Sequence, residues 1–349
     1  MHTINRTLYP ALLASLAWPA TQAMAITQCT LTPPGASQKV YERDLGTLYV
    51  GRDVALNEVI GNNNLVEDTP DLNGLSLDCE ADNYVINFDF RAVNGQTANR
   101  VINTNVPGIG VMVQMGNPFL GGPNEWRPDD GVPVFVPFNA YHENTVVTGP
   151  KLESLHNTIT LVKTADLAPG EHLVDGPLFT GHLDWGGMGQ VLQYSLKARV
   201  IQSECEVDSG SVTTQVDLED WSISQLAGPG HTTTPTPFSI RLINCLAPPA
   251  GGTLIMARME LNGIDGSAPT GPAGEHVFSL TSDSDAAGVG IQVLLNNNPV
   301  PLDTVFRAAD LTSGSIPLNF QARYYQLEPR AQVRTGTAKG ALRFTMHYR

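Results

Sequence analysis

Gly336-Thr337-Ala338-Lys339-Gly340-Ala341-Leu342-Arg343-Phe344-Thr345-Met346-His347-Tyr348-Arg349 closes the chain. Every second position is small or apolar: Gly336, Ala338, Gly340, Leu342, Phe344, Met346 and Tyr348. Thr337, Lys339, Arg343, Thr345, His347 and Arg349 lie between them. A period of two puts one face of a β-strand in a core and the other in water. No later segment of this chain follows to pair with it. A long apolar strand left at a sheet edge invites pairing by another chain.

Working back towards residue 203, short alternating runs recur. Ser211 to Leu218, Pro237 to Cys245, Thr253 to Leu261, His276 to Leu280, Gly290 to Leu295 and Ile316 to Tyr325 read as strands. Pro248-Pro249, Asn262-Gly263 and Asn296-Asn297-Asn298-Pro299 punctuate them as turns. No useful helical period appears. The pattern predicts an antiparallel sandwich.

Several of these segments resemble the pilin domain of chaperone–usher pilus subunits. They are Cys205 at the start, the Phe-x-Ile-x-Leu-x-x-Cys run ending at Cys245, Gly288 to Val293, Ile316 to Tyr324, and the terminal strand with its glycines and penultimate Tyr348. The resemblance implies an immunoglobulin-like sandwich that lacks its last strand and is completed by a strand from another protein. Leu342, Phe344, Met346 and Tyr348 would line the open groove. The implied partners are a periplasmic pilus chaperone, an outer-membrane usher and an adjacent pilus subunit that donates the strand.

Met1 to Ala25 carries Arg6, an apolar run from Leu8 to Ala20, and Ala23-Met24-Ala25. This is the layout of a secretory signal peptide, too short for a membrane helix. Residues 1–25 are therefore expected to be removed, leaving a mature chain from Ile26. Four cysteines, Cys29, Cys79, Cys205 and Cys245, then meet an oxidising compartment and are expected as disulfides. They allow three connectivities. Pairing within each half, across 50 and 40 residues, is the economical one. Each loop would contribute about 4 kcal/mol in the chain-entropy account.

The 33 Gly and 25 Pro in 349 residues suit many turns between short strands. The length permits two cores. A net charge of −14 with no basic patch argues against nucleic acid and anionic membrane surfaces as partners. The division falls near Gln202-Ser203-Glu204, giving a first domain of residues 26–202 and a second of 203–349.

The first half also reads as strands, at Thr47 to Val50, Tyr84 to Phe90, Gly110 to Gln114, Val132 to Phe138, Thr158 to Val162 and Val191 to Ile201. The whole is thus expected to be all-β, two β-sandwich domains. Asp44 to Asp53 with Val59-Ile60-Gly61, and the early Cys29 and Cys79, resemble the lectin-like domain of two-domain fimbrial tip adhesins. A shaft subunit needs roughly ten residues ahead of its fold to donate a strand. Only Ile26, Thr27 and Gln28 precede Cys29, so the expected place is the tip of a fimbrium at the cell surface, after export through the periplasm.

The resemblance carries over no sugar-contacting string. Physical chemistry still asks for carboxylates, amides and an aromatic face. Ile26 (through its amino group), Asp82, Asn83, Asp184, Trp185 and Gln190 are the candidate ligand-binding residues, with His182 to Gln190 read as a distal loop. The ligand class is a surface glycan or protein receptor. The competing reading makes Asp184 a turn residue and Trp185 a core cover. Asp129-Asp130-Gly131 reads as a solvated turn. His142, His156, His172 and His182 have no HxH or HExxH spacing, so no metal or other cofactor is expected. No nucleophile elbow or phosphate loop occurs, and no enzyme is expected. The alternatives are an exported carbohydrate-active enzyme, or a structural pilus cap, carried on a pilin module.

Overall fold

Alternating apolar positions produce strands in both halves, and helix is confined to three short 3-10 turns among the described residues. The computed structural model describes residues 28–32, 34–35, 38–61, 69–70, 76–80, 84–97, 100–123, 125–144, 154–184 and 187–349. The signal-peptide reading of residues 1–25 lies outside them.

The first half stacks a six-stranded sheet on a four-stranded one. The larger runs Lys39–Gly51, Gly189–Ser203, Gly170–Asp184, Tyr84–Ala92, Phe138–Asn144 and Arg127–Pro128. The smaller is built on Asn157–Lys163 and Ile109–Met115. Their inner faces share a core in which Phe88, Phe90, Phe119, Trp126, Phe179 and Tyr194 are almost fully buried. Phe90 stacks on Phe138 at 4.6 Å and Phe179 on Tyr194 at 4.8 Å. A separate two-stranded ladder pairs Gln28–Thr32 with Ser76–Glu80 and sets the Cα of Cys29 opposite that of Cys79.

Gln28–Thr32, Ser76–Glu80, Phe306–Asp310 and Gly170–Asp184 are strands that the sequence pattern does not show, and the strand expected at Val132 to Phe138 is misplaced. Gly170–Asp184 is a single 15-residue strand in the middle of the large sheet. Gly170, Gly176, Pro177 and Gly181 disguise it as turns. Pro177 lies just before the stretch, Phe179 to Asp184, that pairs with Tyr84–Ala92, and a bulge follows it. Its missing N–H therefore costs little. Gly181 is needed because a Cβ there would meet the Phe88 ring at 2.6 Å. The expected strand from Val132 to Phe138 is instead broken, with Val134–Phe135 on one sheet and Phe138–Asn144 on the other. Trp126, just before the expected solvated turn, is fully buried, while Asp130 and Gly131 do form an exposed turn.

The second half has its own core. One sheet centres on Thr236–Cys245, Gly314–Gln326 and Val289–Leu295; the other is Phe306–Asp310, Met256–Gly263 and Leu342–Tyr348. Cys205 is disulfide-bonded to Cys245 across the start of the domain. Ser211 to Leu218, expected as a strand, forms no ladder: a 3-10 turn covers Ser209–Ser211, Val212 and Thr213 bend, and an irregular, unladdered stretch follows.

Candidate functional site

Two regions qualify, one in each half. In the first half, strand register gathers the ends of four strands at one rim. Asn144 pairs with Tyr84, Asp184 with Asn87, and Leu183 with Gly189. Asp184 and Gln190 are therefore close, and on the ends of strands rather than in a loop as expected. Asp184 is exposed, while half-buried Gln190 donates from Nε2 to Gln38 Oε1 at 2.8 Å. Ile26, Asp82, Asn83 and Trp185 lie outside the described residues.

Below the rim, His142 packs edge-on to Trp126 at 6.1 Å. Both are buried, and neither His142 Nδ1 nor Trp126 Nε1 has a hydrogen-bond partner among the described residues. Burial, with Arg127 adding to it, holds the His142 pKa below its ordinary value. His182 sits on the outer face with Thr180 Oγ1 at 3.0 Å from Nε2. Its pKa is also lowered, first by burial and then by Arg91, against Asp89. No group of three or more His, Cys, Asp or Glu side chains able to hold a metal occurs among the described residues.

The second region is an elongated cavity of 1040 Å³ in the second half. Leu342 and Phe344 of the terminal strand form one wall, and Val212 to Leu218 the facing one. Its floor includes Ile240, Leu261, Ile291, Val293 and Phe320. The terminal strand pairs with Met256–Gly263 along one edge only; its other edge has no strand partner among the described residues. Leu342 and Phe344 are accordingly only half-buried. Met346 and Tyr348 share their face but are buried at the strand's other end, away from the cavity lining. The Tyr348 hydroxyl donates to the Cys205 carbonyl at 3.1 Å, and burial pushes its pKa up to about 12.

The wall from Val212 to Leu218 was hidden in the sequence. Its alternation reads as a paired strand, whereas the same pattern here faces an open channel. Gly340 is fixed by the cavity end: a Cβ there would meet Phe278 and Ile291 at 2.5 and 2.6 Å.

Comparison with known proteins gives this channel a context. The sequence model described as "Fimbrial protein" matches residues 194–349. The fimbrial subunit type 1 of Salmonella typhimurium is 30% identical over 156 residues, 44% of this chain and 80% of that protein. The chain belongs to the fimbrial protein family. The fimbria adhesin protein of Klebsiella pneumoniae is 25% identical over 329 residues, covering 89% of this chain and 92% of its own length. Among solved structures, the CupB6 tip adhesin from Pseudomonas aeruginosa aligns over 92% of this chain and 93% of its own, at 16% identity and a TM-score of 0.37.

The family match contains the whole second core and the channel, and starts inside strand Gly189–Ser203. The rim of the first half lies outside it. The channel is thus the region that this fimbrial protein has in common with the shorter subunits, and the first sandwich is what it carries in addition.

Proposed function

We propose that this fimbrial protein is a two-domain tip adhesin. Residues 203–349 form an incomplete pilin domain whose channel accepts a strand from a neighbouring subunit. Residues 26–202 form a lectin-like domain that binds a surface receptor, a glycan in the first instance. The observation that carries the reading is the apolar channel beside the unpaired edge of Leu342–Tyr348. An extended segment lying there would hydrogen-bond to that edge and place alternate side chains over Ile240, Ile291 and Val293. Each fully buried apolar side chain would contribute about 1.5–3 kcal/mol. A periplasmic chaperone would occupy the channel first, and a pilus subunit delivered at the outer-membrane usher would replace it.

The alignment with the Klebsiella fimbria adhesin, which runs through both halves, supports the adhesive role of the first sandwich. Within it, the rim around Asp184 and Gln190, completed by Asp82, Asn83, Trp185 and the amino group of Ile26, is the proposed receptor site. A catalytic role has no positive support from any residue constellation described here.

The strand-acceptance test uses the full mature chain and a synthetic peptide of alternating valine and threonine, long enough to span the terminal strand. The peptide should raise the melting temperature of the second domain, and Phe344→Asp should abolish the rise. Equal melting with and without peptide would refute the channel's role. Binding of the full chain to a glycan array, lost in Asp184→Ala, tests the rim. Hydrolysis of a glycan would favour the enzymatic alternative.

A further inference from the structure

The end of the terminal strand does something that strand acceptance does not require: it is bonded into the first half. Strand Lys39–Gly51 runs parallel to Gly189–Ser203, with Gly51 opposite Ser203. One of these strands continues covalently into the second domain through Glu204 and Cys205. The other ends beside it and turns back into segment 52–58. The Asp53 N–H donates to the Tyr348 carbonyl at 3.0 Å, and the Tyr348 N–H donates to Asp53 Oδ2 at 2.8 Å. Arg52 donates to the Met346 carbonyl at 2.7 Å, lies 3.6 Å from a Glu204 carboxylate oxygen, and covers the Tyr348 ring at 4.9 Å. Arg349 pairs with Glu58. Tyr49, on the strand leading in, packs against the second core.

The segment is itself held rigidly by the first half. Lys163, 2% exposed, donates from Nζ to the carbonyls of Arg52 and Val54 at 2.7 and 3.0 Å. Asn57 and Ile60 donate to the carbonyls of Lys163 and Leu161 on the edge of the small sheet. Gly51 leaves no room for a side chain, because a Cβ would press on the Tyr348 carbonyl group, its carbon only 2.9 Å away. A buried lysine is costly unless it is paired and hydrogen-bonded, and Lys163 is both: Asp166 lies 3.4 Å from its Nζ, and the two carbonyls of the segment take its hydrogen bonds.

We propose that segment 51–58 and Met346 to Arg349 form a non-covalent splice between the two domains. The splice fixes their orientation and gives load that enters through the terminal strand a second route into the first half's sheets. Domains joined by a single short crossing move relative to each other by default. Here the strand that would bear the fibre's pull is itself fastened to the domain that would bear the receptor. Arg52, Asp53 and Lys163 are positioning residues in this device, and none of them belongs to the proposed receptor rim or the channel lining.

The test is a distance distribution between spin labels at exposed positions 173 and 305 in the otherwise unchanged full-length mature chain, with the channel empty. The unsubstituted chain should give one narrow distribution. Asp53→Ala removes the acceptor for Tyr348 and Arg52; Gly51→Ala wedges the contact apart without touching a charge. Each should widen the distribution at least about twofold, while the aromatic fluorescence and disulfide pattern of both halves stay as in the parent. A broad distribution in the unsubstituted chain overturns the proposal, as does parental width in both folded variants. Failure of both variants to fold would also overturn it, since the segment would then be building one fold rather than joining two. Peptide acceptance by the channel is read separately and does not depend on this outcome.

Discussion

The two halves follow the same period-two pattern to different ends. In the first, the described core closes on itself: rings of the six-stranded sheet pack on one another and on Phe119 and Trp126, aliphatic side chains of the four-stranded sheet join them, and the edge strand Asn157–Lys163 is capped by backbone bonds with Asn57, Glu58 and Ile60. In the second, the corresponding resource runs out. The terminal strand is paired on one side, and Phe238 and Phe320, stacked at 5.5 Å, are left lining a channel. The difference lies in the pairing of one strand edge among the described residues rather than in a different kind of sequence. A closed core makes a domain self-sufficient; an open one makes stability depend on an incoming segment.

The largest effect should come from cutting matched aromatics in the two cores. Phe90→Ala, in the closed core, should cost about 3–5 kcal/mol. Phe344→Ala should cost about 0.8–1.5 kcal/mol with the channel empty, half of a full burial contribution, and more once a strand is bound. Denaturant unfolding of the full chain, with and without the alternating peptide, measures both. Equal costs in the empty state would erase the contrast between closed and open cores.

The cysteines give the next test. Replacing Cys205 and Cys245 together by Ala should cost about 2–5 kcal/mol, and the loss should fall on the domain with the open channel. In the first half, backbone register sets Cys29 opposite Cys79. Non-reducing peptide mapping should recover Cys29–Cys79 beside Cys205–Cys245. A bridge between the halves would break the picture of two separately cross-linked domains.

Acid should weaken the closed half through His142. Its folded pKa lies below the ordinary value of 6.5, chiefly because burial disfavours the charged imidazolium. The unfolded chain therefore binds the proton more readily. The stability from keeping it neutral is present above pH 6.5 and is lost as the pH falls through 6.5 towards the folded value. Melting followed by Trp fluorescence above and below that pH should show the loss, and His142→Gln should reduce it. An unchanged pH dependence in that variant would move the cause elsewhere.

Much of this contrast was legible in the sequence, and the parts that were not share a physical reason. Alternation located Tyr84–Ala92, Ile109–Met115, Gly314–Gln326 and Leu342–Tyr348, because each has one wet and one dry face. It failed at Gly170–Asp184, where Gly181 is a packing requirement of Phe88 and not a turn. It misled at Val212 to Leu218, because a pattern records which face is apolar and not whether a neighbour is present. Of the proposed receptor site, Asp184 and Gln190 lie close together on strand ends, and Ile26, Asp82, Asn83 and Trp185 lie outside the described residues. The bonds between Asp53 and Tyr348 span 295 residues, and no local pattern marks such a contact.

The smallest effect concerns how the two halves guard their sheet edges. Lys39–Gly51 is an edge strand of the first half, pairing among the described residues only with Gly189–Ser203. It carries Glu42, Arg43 and Asp44, and Glu42 is bonded to Lys197 at 2.8 Å on the exposed face. Such a solvent-screened pair contributes little to stability. Its greater use is to discourage another strand from adding there, as charged edges do. The terminal strand has Arg343, Thr345 and His347 on its outer face but opens its edge onto an apolar channel. Glu42→Val with Lys197→Val should therefore leave the melting temperature of the first domain nearly unchanged, yet raise its concentration-dependent association in light scattering. Phe344→Asp should do the reverse in the second domain, suppressing association of the strand-free chain. If removing the Glu42–Lys197 pair changes melting more than association, the pair is structural, and the two edges differ in their partners alone.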